Sequence, residues 1–331
     1  MQQKVLLIGA TGYLGSFVHQ ALLQAGHNVT ACYRKKSGVS GFDKLCWKKL
    51  DVTKAKDFKK FKQEFDVLIY LASSLSNDYE GVIQKDIMGI HNALSAELAP
   101  CFVFCSSSDV YGRSLSLSTN ENVIPQPLSW YGLGKLYSEK AVGIWANSNS
   151  SRKYFILRTP FILGAHPSIV NSFWGRIILS VLKHRKIILS KHSFNRIDTL
   201  GFNWVPATKV AELFTNAIAN SLKGCYNSNS CFVTWKRFFE TLEKITGCQC
   251  IYESEQKEGD GIALFHHAGE LCDNKIRSVP GETSVDIQTP TLSSILREIC
   301  TYIAQTEVAG SNGSSLINSG KNLDMISYCY L

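Results

Sequence analysis

Lys4–Ile8 runs directly into Gly9-Ala-Thr-Gly12-Tyr-Leu-Gly15, and this junction constrains the fold more than any other stretch of the chain. The residues before the turn are β-branched or leucine-rich without alternation, which predicts a strand buried on both faces. After it, Leu14, Phe17, Val18, Ala21 and Leu22 recur at helical spacing and Gly26 closes the run, predicting an amphipathic helix. Glycines at such a junction let the chain turn tightly and let backbone N–H groups approach a pyrophosphate. The positive helix end then faces that anion. The spacing is G-x-x-G-x-x-G rather than G-x-G-x-x-G, and glycines alone also mark ordinary turns. The strand and helix on either side favour a nucleotide site.

The alternation continues. Asn28–Tyr33, Asp66–Ala72, Pro100–Ser106 and Tyr154–Thr159 read as strands, with helical stretches over Lys54–Glu64 and Val82–Leu98. Strand and helix in turn predict an α/β fold, a doubly wound parallel sheet with right-handed crossovers. After Gly164 the texture changes to a helix over Phe173–Lys183, a basic turn at Lys183–Lys186, a loop around Asn195–Gly201 and a helix over Thr208–Ser221. Glu253–Gly261 reads as a polar loop and Thr291–Gln305 as a last helix, N-capped by Thr291. We therefore expect a nucleotide-binding domain over 1–164 and a smaller substrate-binding lobe over 165–305, some of it returning to the sheet. The segment 306–331, rich in Ser, Asn and Gly from Val308 onward, is expected to be disordered.

Composition excludes several classes. At 331 residues with 45% apolar and 19% charged side chains, the chain can bury a sizeable core, and length suggests about two domains. The net charge of +8 suits an anionic ligand but is far from the dense basic stripe of a nucleic-acid binder. The apolar run Val5–Val18 is interrupted by glycines and too short to span a bilayer, and it lacks the features of an export signal. Eleven cysteines are scattered without zinc-finger spacing, which suits reduced thiols in the cytoplasm. His166, His266 and His267 have no partners at metal-ligand spacing, so no metal site is expected.

The end of the second strand bears on the nucleotide. A carboxylate there takes the ribose hydroxyls of NAD, whereas arginine accommodates the extra phosphate of NADP. The chain reads Tyr33-Arg34-Lys35-Lys36, with no carboxylate until Asp43. Arg34, with Lys35 or Lys36 adding charge, favours NADP(H) over NAD(H); a solvated basic turn is the competing reading.

Tyr131 and Lys135 stand four residues apart on one helical face. An ammonium beside a phenol favours phenolate, and such a tyrosine exchanges a proton with a carbonyl or alcohol oxygen as hydride moves. Upstream, the strand ending at Cys105 runs into Ser106-Ser107-Ser108-Asp109-Val110-Tyr111-Gly112, where a serine hydroxyl at a strand's carboxyl end points toward the ligand crevice.

With these residues in place, the chain resembles an extended short-chain dehydrogenase/reductase of the NAD-dependent epimerase/dehydratase family. The likeness covers roughly residues 4–305. Its motifs follow in the family's order: Gly9–Gly15, Asp51-Val52, Leu71–Ser73, Ser107–Gly112, Tyr131–Lys135, Arg158–Gly164 and Trp204–Ala211. The resemblance implies a Rossmann-type sheet, with Tyr131 as acid/base, Lys135 lowering its pKa and holding the nicotinamide ribose, and Ser107 orienting the substrate. It places Gly9, Thr11, Gly12, Tyr13, Leu14, Gly15, Arg34, Asp51, Val52, Leu71, Ala72, Ser73, Tyr131, Lys135 and Pro160 around the cofactor, and Ser108 and Asp109 beside the substrate. It also implies a homodimer paired through the helices Val82–Leu98 and Ser129–Ala146.

Departures narrow the reaction. Family dehydratases carry an Asp-Glu pair where this chain has Ser108 and Asp109, so dehydration is disfavoured. Nucleotide-sugar epimerases place a phosphate-gripping arginine where this chain has Phe202, and they often place an asparagine in the stretch after Arg158. Arg176, Arg196 and Lys183–Lys186 are alternative phosphate contacts, with a solvated loop and helix end the plainer reading. Gly134 replaces a common serine, and Trp130 reads as core beside a helix start or as a substrate contact. The leading expectation is an NADP(H)-dependent oxidoreductase acting on a ketone, aldehyde or alcohol of a small molecule. A sugar or nucleotide-sugar epimerase and a non-catalytic dinucleotide sensor are the alternatives.

Overall fold

The structure, a computed structural model, describes residues 2–35, 46–61, 65–73, 78–112, 118–169, 172–184, 186–228, 231–257, 262, 264, 270–279 and 292–311. Strand β1 (Lys4–Ile8) is buried from Val5 onward, as its unbroken apolar run predicts. Its alternate residues serve two cores. Val5 and Leu7 join Val18, Leu22 and Phe214 on one face, and Leu6 and Ile8 join Ile90, Phe102 and Val142 on the other. Helix α1 (Tyr13–Gln24) lays Gly15, Val18 and Leu22 against the sheet.

Strands β2 (Asn28–Tyr33) and β3 (Trp47–Lys49) follow, the latter unanticipated by the sequence. The helix predicted over Lys54–Glu64 is only α2 (Ala55–Phe58). Beyond it Lys60 and Phe61 donate to carbonyls three residues back, closing tight turns instead of continuing the helix; residues 62–64 lie outside the described set. After β4 (Val67–Tyr70), a helical column starts as α3 (Tyr79–Gly81), passes through a π-helical stretch at Val82–Ile87 and ends as α4 (Met88–Ser95). Strand β5 (Cys101–Ser107) leads into a single tight turn at Ser108–Tyr111, then β6 (Ser118–Thr119), helix α5 (Trp130–Asn147) and β7 (Lys153–Thr159).

The rest of the chain builds smaller sheets and returns one strand to the main one. In order come β8 (Phe161–Leu163), α6 (Phe173–His184), β9 (Lys186–Leu189), α7 (Lys191–Asn195), β10 (Gly201–Pro206), α8 (Ala207–Ala219) and β11 (Gly224–Asn227). Then β12 (Cys231–Thr234), α9 (Trp235–Thr246), β13 (Ile251–Ser254), β14 (Glu270–Leu271), α10 (Asn274–Arg277) and α11 (Leu292–Ser311) complete it. The main sheet has seven strands in the order β11-β7-β5-β4-β1-β2-β3, every neighbouring pair parallel. This is the doubly wound Rossmann-type arrangement, and its order reverses between β1 and β4, where ligands of such sheets bind.

Several expectations are corrected. Part of the predicted loop at Asn195–Gly201 is preceded by helix α7, whose Ser190 hydroxyl caps the Ser193 N–H. Glu253 and Ser254 belong to β13, held in parallel register by β9, whereas Glu255–Lys257 are outside any strand; 258–261 lie outside the described residues. Helix α11 continues through Val308 to Ser311, where a disordered tail was expected. Thr291 and residues 312–331 lie outside the described set.

Away from the sheet, Trp174, Phe202, Trp235, Phe238 and Phe239 form an aromatic core. The Trp174 and Trp235 rings stack at 5.6 Å, and Phe202 lies 4.6 Å from Trp235 between centroids. Helix α9 supplies three of these rings from one face, capped by the Thr234 hydroxyl at its start and by Gly247 in a left-handed conformation at its end. Trp235 is fully buried at the centre of this cluster, so Trp235→Ala is expected to cost about 3–5 kcal/mol. A urea melt showing less than about 1 kcal/mol would mean that the cluster repacks around the void.

Candidate active site

The turn after β1 is assembled by contacts that exclude side chains. Gly9 has φ of +90°, and a Cβ there would lie 2.9 Å from the Ala72 nitrogen at the end of β4. A Cβ on Gly15 would sit 2.1 Å from the Gly9 carbonyl oxygen, so α1 starts as close to the turn as backbone allows. The Gly12 N–H donates back to the Gly9 carbonyl at 2.9 Å. Thr11 is exposed at the tip. Tyr13 turns its phenol away from the turn, donating to the Gly164 carbonyl at 3.1 Å, while Leu14 packs on the core beneath the sheet.

The neighbouring strand ends complete a trough. Leu71 donates to the Ile8 carbonyl at 2.9 Å, holding Leu71–Ser73 against β1. The Ser73 hydroxyl is buried and meets no hydrogen-bond partner among the described residues. Asp51 spends its carboxylate on the Thr53 N–H and hydroxyl, at 3.1 and 2.8 Å, and on Lys54 at 3.5 Å. Asn92 pins the Val52 carbonyl at 2.9 Å. Arg34 is exposed at the end of β2, Lys36 and Asp43 lie outside the described residues, and Pro160 is buried between β7 and β8. A glycine cradle, an orphaned hydroxyl and an exposed guanidinium at these strand ends fit a dinucleotide phosphate and its ribose.

At the end of β5, Ser107 is nearly buried and its hydroxyl accepts from the Asp109 N–H at 3.2 Å, folding the next residues into a tight turn. Ser129 caps α5 by accepting from Gly132, and the helix carries Tyr131 and Lys135 past that strand end. Lys135 is 4% exposed; its Nζ donates to the Cys105 carbonyl at 3.0 Å and lies 5.5 Å from the Tyr131 ring centroid. The structure therefore brings the ammonium, the phenol ring and the serine-bearing strand end together. Gly134 is explained by packing: a Cβ there would lie 2.7 Å from Val82 Cγ1 of the π-helical stretch.

Burial pushes the Asp109 carboxyl up to about 6. Ser108 beside it is half-buried. Phe202 is fully buried in the aromatic core. Arg176 and Arg196 are exposed, and the side chains of 183–186 lie outside the described set. Trp130 is not core: it is 44% exposed and meets Tyr79 edge-on at 5.0 Å, because its helical position faces away from the stripe holding Lys135. His166 packs on Tyr13 and shares a hydrogen bond with Ser168, and 266 and 267 lie outside the described residues. Among the described residues no group of His, Cys, Asp or Glu is placed to hold a metal ion, and no helix is long and apolar enough to cross a membrane.

Sequence reasoning missed the buried side chains behind this site. Glu139 accepts from Arg158 Nε at 2.9 Å, from Arg158 Nη2 at 2.7 Å and from the Ser106 hydroxyl at 2.5 Å. Arg158 Nη1 donates to the Tyr111 hydroxyl, which donates to Asn227 Oδ1 at 2.7 Å. Glu139 falls one turn after Lys135 on the same face, and that spacing was the available signal.

Comparison with known proteins is consistent with this geometry. The model of the NAD dependent epimerase/dehydratase family matches residues 5–220. The chain is 23% identical over 189 residues to the decarboxylating sterol-4-alpha-carboxylate 3-dehydrogenase of Dictyostelium discoideum, covering 52% of this chain and 57% of that protein. It spans about half the length of the curated relatives it matches. Among solved structures, UDP-glucose 4-epimerase of Thermotoga maritima with UDP-glucose superimposes with a TM-score of 0.74 at 18% identity, covering 92% of this chain and 99% of that one. RMD from Pseudomonas aeruginosa complexed with NADPH gives 0.70 at 17%, covering 92% and 100%. At these identities the structural likeness concerns the fold.

The Asp109 shift has a sign that can be checked. The folded chain holds this proton more tightly than an unfolded aspartic acid, whose ordinary value is 3.8. Stability is thus fully present below about pH 4 and is lost as pH rises through about 6. Asp109→Asn cannot ionise, so it is expected to raise Tm near pH 8 and leave it unchanged near pH 4; equal effects at both would place the carboxyl in solvent.

Proposed function

This chain belongs to the NAD dependent epimerase/dehydratase family, and from that premise we propose that it is an NADP(H)-dependent oxidoreductase that interconverts a carbonyl and an alcohol on a small, weakly charged molecule. The observation that carries the reading is Phe202. The position that would offer a guanidinium to a nucleotide's phosphates is filled by a phenyl ring with no exposed surface, among Trp174, Trp235 and Phe238. A bidentate phosphate contact cannot come from there. Exposed Arg34, with no carboxylate beside it on β2, supports the phosphorylated dinucleotide.

A bound nicotinamide coenzyme supplies or accepts hydride; the chain's own residues manage the proton. The glycine turn, Thr11, Ser73 and Arg34 hold the coenzyme's phosphates and ribose. Ser107 holds the substrate oxygen, Tyr131 gives it a proton or takes one away, and buried Lys135 favours the phenolate that accepts it. Ser108 and Asp109 line the substrate side, with one carboxylate where expelling water would use two. The cytoplasm, with its reduced thiols, is the compartment this reading assumes.

We also propose a homodimer. Trp130, Leu133, Tyr137 and Ile144 form an exposed stripe along α5, and Met88 is exposed on α4 beside it. Paired about a twofold axis, these helices bury their apolar stripes against a second copy.

NADPH absorbance is expected to fall mole for mole with a reducible ketone or aldehyde from a panel that includes nucleotide sugars. Tyr131→Phe should lower kcat at least about a thousandfold while leaving NADPH affinity within about twofold. Product formed without net coenzyme change would instead make the chain an epimerase, and undiminished turnover by the variant would remove Tyr131 from the chemistry. Ile144→Glu, at a residue 72% exposed, is expected to shift sedimentation from dimer to monomer.

A further inference from the structure

Helix α5 and the end of β5 are joined by polar contacts at two successive levels. On the helix, Tyr131, Lys135 and Glu139 stand four residues apart on one stripe. On the strand, Cys105, Ser106 and Ser107 are consecutive. Lys135 Nζ donates to the Cys105 carbonyl at 3.0 Å, and one turn further the Ser106 hydroxyl donates to Glu139 Oε1 at 2.5 Å. Apolar packing alone tolerates sliding along a helix axis, whereas two directional bonds a turn apart fix both rotation and height.

The lower bond is backed by a clamp. Arg158 on β7 holds both Glu139 oxygens, at 2.9 and 2.7 Å, so the carboxylate cannot swing away from Ser106. Arg158 is in turn held through the Tyr111 hydroxyl, at 2.8 Å, to Asn227 on β11. Ser106, Glu139 and Arg158 are buried, and the Glu139 carboxylate is spent on the Ser106 hydroxyl and on Arg158, so these polar groups are committed to one another rather than to a ligand.

We infer that Ser106 and Glu139 are positioning residues that set the register of Tyr131 against Ser107. They touch neither substrate nor coenzyme and act through the height of α5 beside the strand end. The inference rests on the assignment of Ser107, Tyr131 and Lys135 as the reacting groups. It extends that assignment to a serine whose neighbour, not itself, meets the substrate. A displacement of about 1 Å at a reacting pair costs up to about a hundredfold in rate, so a small slip of the helix would register in kcat.

The test compares Ser106→Ala, Ser106→Thr, Glu139→Gln and Tyr131→Phe in the full chain. Ser106→Ala leaves the Arg158 pair intact and is the variant expected to fold. Its kcat should fall by about tenfold with KM for NADPH within about twofold, and Ser106→Thr, which keeps the hydroxyl, should restore most of the loss. Glu139→Gln should lose more, by up to about a hundredfold. Wild-type kcat in both Ser106→Ala and Glu139→Gln, with only Tm lowered, would overturn the inference and leave these residues purely structural. If Tyr131→Phe kept full activity, the chemical assignment itself would fall; if it were inactive while Ser106→Ala was not, only the positioning role would. Crystal structures of wild type and Ser106→Ala decide the point without turnover. A shift of α5 along β5 of about 1 Å supports it, and superimposable helices refute it.

Discussion

A guanidinium and a carboxylate taken out of water organise the carboxyl end of the sheet. Withdrawing two such charges costs several kcal/mol each, and their attraction offsets that cost only when geometry is good and the remaining hydrogen-bonding capacity is filled. Both conditions hold. Arg158 meets both oxygens of Glu139, and its remaining Nη1 goes to Tyr111. Burial pushes the Tyr111 phenol up to about 12, so it stays protonated and can donate onward to Asn227. Asn227 spends its amide on the Thr119 and Cys272 carbonyls, and its own N–H goes to Glu121. Helix α5 is thus tied to β7, β11, β6 and the segment before α10 through groups that tolerate little displacement. An apolar cluster of the same volume would hold these elements with equal strength but without direction.

The other half of the site is built from what is missing. Around the turn after β1 the backbone itself makes the walls, because Gly9 approaches Ala72, and Gly15 approaches the Gly9 carbonyl, more closely than any side chain permits. Gly134 performs the same service on α5 against Val82, which lets the π-helical stretch approach the helix bearing Tyr131. A glycine in a helix interior loses about 1 kcal/mol to alanine, so the local cost at Gly134 is accepted for close approach. Backbone proximity forms the glycine side of the site, and buried side-chain bonds form the side bearing Tyr131 and Lys135.

This division explains how much could be read from sequence. β1, the glycine turn and α1 are legible because apolar runs, glycines and helical periodicity are local signals. Ser107, Tyr131 and Lys135 are legible because their spacing follows one strand end and one helix turn. Glu139 is not: a glutamate in a lysine-bearing helix reads as a solvated charge, and its partner Arg158 is separated by a strand connection. Trp130 reads as core only until the helix phase is fixed by its Ser129 cap, which turns that ring outward. The short strands of the smaller sheets escaped because their partners are distant in sequence, whereas helix α9 carried a local signal, apolar residues at Trp235, Phe238, Phe239 and Leu242, that went unread. β13 pairs with β9 in parallel across the intervening lobe, and β12 with β10 in antiparallel register.

The same logic bears on what the cleft selects. A charged ligand group is recognised by placing a fixed opposite charge where water has been removed, and among the described residues the buried cations Arg158 and Lys135 are already committed. Arg158 belongs to Glu139, Lys135 to the Cys105 carbonyl and the face of Tyr131, and Phe202 is an aromatic core residue. Asp109, the carboxyl on the substrate side, is held partly neutral near pH 6 by its burial. Under the proposed function, discrimination would rest on shape and on one polar oxygen rather than on phosphate charge. Losing a methylene from an apolar ligand changes binding by only about 1–3 kcal/mol, whereas a site built around a hydrogen bond rejects ligands that lack the polar atom far more strongly. On the proposed reading, selectivity would rest on the oxygen held by Ser107 and Tyr131.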